Sequence, residues 1–187
     1  MRLRVISLTL LVLMLSVAAV GCGGGPATPG GNNKNQSYTE DFVTIDLTNQ
    51  YGITVDHPGK GWKQTYNVAQ QKRWQEIDDE AEFEIYIVGM ALNPDQFRVD
   101  KFGKWTILEQ QEINVDGLAR PILFTHAYKE DEAGFEIGAL QLYFTRSYKA
   151  PQPWYYIITL RNYDYQYDAD YQDIFDEIIA SLIIHFE

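Results

Sequence analysis

Two segments in the second half of this 187-residue chain carry apolar side chains on both sides of an alternating pattern, and this restricts the architecture more than any other feature. From Phe135 to Arg146, Phe135, Ile137, Ala139 and Tyr143 share one side, while Leu140, Leu142 and Phe144 share the other. Trp154 to Arg161 follows a loop containing Pro151 and Pro153. A strand that is apolar on both faces has to be covered on both. These two segments are therefore expected at the centre of a sheet, packed against helices or the far end of a curved sheet.

Other strands read in the same way. Phe42 to Thr48 alternates and is rich in β-branched residues, and Asn49-Gln50 is expected to turn it into a second strand, Tyr51 to Val55. His57-Pro58-Gly59-Lys60-Gly61 ends that strand, and a helical turn is possible between Trp62 and Arg73. Phe83 to Ala91 is an apolar strand. Thr106 to Val115 and Leu118 to Tyr128 flank Asp116-Gly117, the strongest short hairpin signal in the chain. The last segment is helical, since Tyr171, Ile174, Phe175, Ile178, Ile179, Leu182 and Phe186 recur at helical spacing. Asp168 or Asp170 is its expected N-cap, and acids in the first turn suit the helix dipole. The fold class is α+β, an antiparallel β-sheet sandwiched with helices and closed by a C-terminal amphipathic helix.

The beginning of the chain sets where it acts. Arg2 and Arg4 precede an apolar run from Val5 to Val20, interrupted only by Ser7, Thr9 and Ser16. Its 16 residues match a signal-peptide core and fall short of the roughly 20 a bilayer span needs. The run closes on Ala19-Val20-Gly21-Cys22, which resembles the lipobox of bacterial lipoproteins. That resemblance implies cleavage before Cys22, diacylglycerol on its thiol and a membrane anchor at the new terminus. Leu is commoner in the lipobox where Ala19 stands here. The expected division is a lipoprotein signal peptide at 1–21, a flexible Gly/Pro/Asn tether at 22–37 and a single α+β domain at 38–187. A coil of about 15 residues gives on the order of 20 Å of standoff from the membrane.

Charge and cysteine content narrow the function. The chain holds 15 cationic and 26 acidic side chains, for a net charge of −11. Removing residues 1–21 takes Arg2 and Arg4 and leaves 13 cationic side chains, a net of −13, which anionic headgroups repel. The lipid must then do the holding. No nucleic-acid partner is expected, because phosphate neutralisation needs clustered cations. A single cysteine excludes an internal disulfide framework and a cysteine-based zinc site.

Three stretches of the body together resemble the PsbP-like family, whose fold is shared with a eukaryotic Ran-binding nuclear-import factor. They are Tyr51-Gly52-Ile53 leading to Pro58-Gly59-Lys60-Gly61-Trp62, then Ile113 to Gly117, then Tyr155 to Leu160 followed by Phe175, Ile178, Ser181 and Leu182. The resemblance implies a PsbP-like fold and an accessory, assembly or binding role at the cell envelope, with a protein or small ligand as partner. It carries over no functional residue.

Signatures of catalysis are missing. There is no G-x-S-x-G, H-E-x-x-H or P-loop, and no S-x-x-K in the body. His57, His126 and His185 are spread over a turn, a strand and a helix end. No catalytic residue and no cofactor are expected, and the chain is expected not to be an enzyme. The acidic run Glu76, Asp78, Asp79, Glu80, Glu82 and Glu84 lacks the glycine of a calcium loop and reads as the solvent face of a strand. Asp164, Asp168, Asp170 and Asp173, interleaved with Tyr163, Tyr165 and Tyr167 and extended by Trp154, are the candidates for a calcium- or carbohydrate-binding rim.

Overall fold

The computed structural model describes residues 42–186, except 79, 90, 91, 151 and 165–167 and the side chain of Asp168. The expected signal segment, Cys22 and the tether lie outside these residues, as do Tyr165, Tyr167 and Asp79.

Strand β1 (Val43–Asp46) leads not into a turn but into a single helical turn, α1 (Thr48–Tyr51). The Thr48 amide donates to Asp46 Oδ1 at 2.8 Å, and the Tyr51 amide donates to Leu47 O. Gly52 then ends the turn at a φ of +66°, so Tyr51 belongs to α1 and strand β2 begins later, at Ile53–His57. The expected helical turn between Trp62 and Arg73 is instead a hairpin of β3 (Trp62–Val68) and β4 (Gln71–Glu76). As an edge strand, β3 needs no buried face, which is why its sequence lacks a clear alternation.

Strand β5 (Ala81–Val88) is followed by a 3-10 turn (Pro94–Phe97), β6 (Thr106–Ile113) and β7 (Ile122–Glu130). The Asp116-Gly117 turn exists, with Gly117 at a φ of +89°, but it sits in a longer connection than expected. Pro121 cannot donate to a ladder, so β7 starts only after it. Then come β8 (Glu136–Arg146), β9 (Trp154–Asn162), α2 (Asp168–Ser181) and β10 (Ile183–Ile184). Asp168 and Asp170 thus fall in the first turn of α2 rather than at its cap, and Phe186 lies beyond the helix. The Ser181 hydroxyl closes that end. It donates to Ile178 O at 2.7 Å and accepts from the Asp56 amide at 2.9 Å.

Seven strands form one antiparallel sheet in the order β3-β4-β5-β9-β8-β7-β6, and β1-β2-β10 form a second. The two segments that are apolar on both sides, β8 and β9, are interior strands, as their pattern requires. On one face of the large sheet, Phe83, Ile85 and Ile87 stand beside Leu160, Ile158 and Tyr156, and these beside Leu140, Leu142 and Phe144. All nine are buried. The small sheet and both helices cover this face. Phe175 of α2 meets Phe124 of β7 at 6.3 Å, and the Tyr156 hydroxyl donates to Tyr51 O at 2.6 Å. His57 of β2 stacks on Trp74 of β4 at 4.3 Å. Tyr171, Ile174, Phe175 and Ile178 of α2 are all buried, at about 1.5–3 kcal/mol each before ordering costs.

The other face is covered differently. An irregular strap, residues 93–105, crosses it over β8 and β7. Val99 packs with Ala127, Ala139 and Trp105, and Phe97 meets Tyr86 edge-on at 4.5 Å. Gln141 fastens the strap. It accepts from the Val99 amide at 3.1 Å and donates to Phe97 O at 2.9 Å and to Thr159 Oγ1 at 3.0 Å. The cover expected on this side was a helix or a folded-back sheet; the strap supplies it with one 3-10 turn. No helix among the described residues is long and apolar enough to cross a membrane.

Candidate functional site

Beyond the strap's contact at Tyr86, the part of this second face that belongs to β3, β4, β5 and β9 carries charged side chains. Register brings a polar group together there. Gln71 stands opposite Tyr86, Arg73 opposite Glu84, and Glu82 opposite Arg161. Glu84 accepts from Gln71 Nε2 at 2.6 Å and from Arg73 Nη2 at 2.9 Å, and lies 3.4 Å from Arg161 Nη1. Glu82 accepts from Arg161 Nη1 at 2.8 Å. Arg73 Nε is buried 3.4 Å from Glu82 Oε2 and makes no hydrogen bond.

At Glu82 and Glu84 this corrects the reading of the acidic run as the solvent face of a strand, whereas Asp78 is exposed as expected. Glu82 and Glu84 alternate with Ala81, Phe83 and Ile85, as that reading supposed, but their side chains are only 12% exposed. Two arginines from the flanking strands cover them. Burial would raise the Glu84 carboxyl above its usual range, but hydrogen bonds from Gln71 and Arg73 and the charges of Arg161 and Arg73 outweigh it and hold the group low. Glu84 is thus a fixed acceptor near neutral pH, not a proton donor.

Tyr163 joins this cluster. Its amide donates to Glu80 O at 2.7 Å, and burial together with Glu82 pushes its hydroxyl pKa up. Of the other expected rim residues, Tyr165, Tyr167 and the Asp168 side chain lie outside the described residues. Trp154 begins β9, roughly 30 Å away at strand rise, and packs edge-on against Tyr51 at 5.3 Å on the opposite face. Asp164 is half-buried, whereas Asp170 and Asp173 are exposed on α2. Among the described residues no three His, Cys, Asp or Glu side chains are grouped to hold a metal ion. Tyr171 serves the core, with its hydroxyl on Glu76 Oε2 at 2.8 Å.

Sequence reading missed Gln71, Arg73 and Arg161. A signal was present in Arg161, a cation ending an apolar strand, and in the i, i+2 spacing of Glu82 and Glu84. What the sequence could not give was the strand order that sets them side by side. The assembled group is two guanidiniums and two carboxylates in mutual contact, each arginine reaching both glutamates, with Tyr66, Tyr86 and Tyr163 on the same face. Arginine and tyrosine are residue types enriched at protein interfaces.

No family model matches the sequence, and no curated protein matches it significantly. Solved structures do match. The crystal structure of the Ran-binding protein Mog1p of Saccharomyces cerevisiae aligns with 78% of this chain and 96% of its own, at 8% identity and a TM-score of 0.51. A point mutant of Mog1 aligns over the same shares at 7% identity and a TM-score of 0.49. The solution structure of cyanobacterial PsbP from Synechocystis covers 89% of this chain and 98% of its own, at 10% identity and a TM-score of 0.45. The chain has the fold of Mog1p, mostly antiparallel sheet with a few helices.

Proposed function

We propose that this chain is a membrane-anchored, extracytoplasmic lipoprotein whose PsbP-like domain is a non-enzymatic accessory or binding protein of the bacterial cell envelope. The observation that carries this reading is Ala19-Val20-Gly21-Cys22, placed at the end of a 16-residue apolar run and ahead of a Gly/Pro/Asn tether. The domain's charged sheet face supports the binding half of it. Glu82, Glu84, Arg73 and Arg161 are held in mutual ion pairs, which fixes their geometry for contact with a partner.

The test uses the full chain and Cys22→Ser, each expressed in a bacterial host fed labelled palmitate. The expected result is label in the membrane fraction with the natural sequence and none with the variant. Label that persists in Cys22→Ser, or that never appears in the natural sequence, overturns the anchoring.

A further inference from the structure

A second feature of the strap-covered face lies at the other side of the sheet. Strand β7 begins only after Pro121, while β8 runs on to Arg146, and this leaves a notch beside the start of β7. The notch is an open pocket of about 170 Å³. Its lining includes the apolar Pro121, Leu123 and Tyr143 and the charged side chains of Arg98, Arg120 and Glu112. A cavity of about 150 Å³ holds one benzene ring, so the space suits a single leucine- or phenylalanine-sized group.

The three charged groups are not equivalent. Arg98 is committed, donating to both carboxylate oxygens of Asp100 at 2.9 and 2.6 Å, with its guanidinium 4.3 Å from the Tyr143 ring centroid. It forms a rigid, neutralised wall. Arg120 and Glu112 are exposed, and neither makes an ion pair with any described residue. Opposite charges lining one small pocket would ordinarily close on each other. These stay apart, leaving a cation and an anion available at one apolar opening. Their complement is a group that carries both charges beside an apolar side chain.

We propose that this pocket binds a free apolar α-amino acid, its side chain against Leu123, Pro121 and Tyr143, its carboxylate on Arg120 and its ammonium on Glu112. The pocket is separate from the Arg73–Arg161 cluster and from Cys22, so failure of this inference leaves acylation of Cys22 as it stands.

The test is a saturation-transfer NMR titration of the full chain in mild detergent, with L-phenylalanine, phenylacetate and phenethylamine as probes. L-phenylalanine is expected to bind about tenfold more tightly than either singly charged probe, or about 1.4 kcal/mol. Arg120→Gln should weaken L-phenylalanine and phenylacetate while leaving phenethylamine unchanged, and Glu112→Gln should weaken L-phenylalanine and phenethylamine while leaving phenylacetate unchanged. Both residues are exposed, so neither substitution threatens the fold. Equal binding of the three probes, no transfer at all, or ratios that ignore both substitutions would overturn the proposal.

Discussion

Gln141→Leu is the most informative single substitution in the fold. Gln141 is 1% exposed and stands in the middle of β8, where its amide makes three hydrogen bonds. Two of them reach the strap, at the Val99 amide and Phe97 O, and the third reaches Thr159 on β9. Leucine keeps nearly the same volume and regains some apolar burial, so little of the loss is a cavity. Each neutral hydrogen bond is worth about 1 kcal/mol net, and each buried partner left unsatisfied costs about 1–3 kcal/mol. The Val99 amide is such a partner and cannot reach water without lifting the strap. A loss of about 2–4 kcal/mol is expected, measured as a shift in urea midpoint at constant slope. Hydrogen exchange adds the location. Protection of the Val99 amide should fall far more than that of the β8–β9 ladder, since the strap opens before the sheet does. A change below about 0.5 kcal/mol with Val99 still protected would refute the strap's dependence on Gln141.

Other outcomes follow from the same contacts. Glu84→Gln should destabilise by about 1–2 kcal/mol at pH 7, less than a fully buried pair would lose, because Arg73 and Arg161 are 37% and 27% exposed and partly screened. The native Glu84 pKa is depressed, so its contribution is full above the unfolded carboxyl value of roughly 4.3 and disappears as pH falls through the folded value. The gap between natural sequence and variant in thermal melts should therefore close on acidification below about pH 4. Gly52→Ala should lower the melting temperature by several degrees: its φ is +66°, and a Cβ there would lie 2.6 Å from the Tyr148 ring. Arg146→Met strips the guanidinium from Gly52 O at 3.2 Å and His185 O at 2.6 Å, and should cost about 2–4 kcal/mol by urea denaturation.

How far the fold was legible follows the range of each interaction. Helix α2 was readable because its apolar stripe is a local property of consecutive residues, and β8 and β9 because both their faces are apolar within one short segment. Their place inside the sheet followed from that alone. The hairpin β3–β4 was not readable, since an edge strand such as Lys63-Gln64-Thr65-Tyr66 has no buried face to mark it. Nor was β10, whose two residues are a strand only through pairing with Ile53 and Thr54, far back in the chain. The strap escaped notice because residues 93–105 have no period. Its one clue was Gln141, a polar residue in the middle of an otherwise apolar strand. The candidate site was half visible. Glu82 and Glu84 stood out as acids, but their meaning depended on Arg161, a partner brought in by strand order.

The central claim is that Cys22 anchors this domain to a membrane, and intact-mass analysis of the mature N-terminal peptide, from protein extracted with detergent, tests it most directly. The expected peptide begins at Cys22 and carries diacylglycerol on its sulfur. A chain that begins elsewhere, or a Cys22 with a free thiol, would contradict the account.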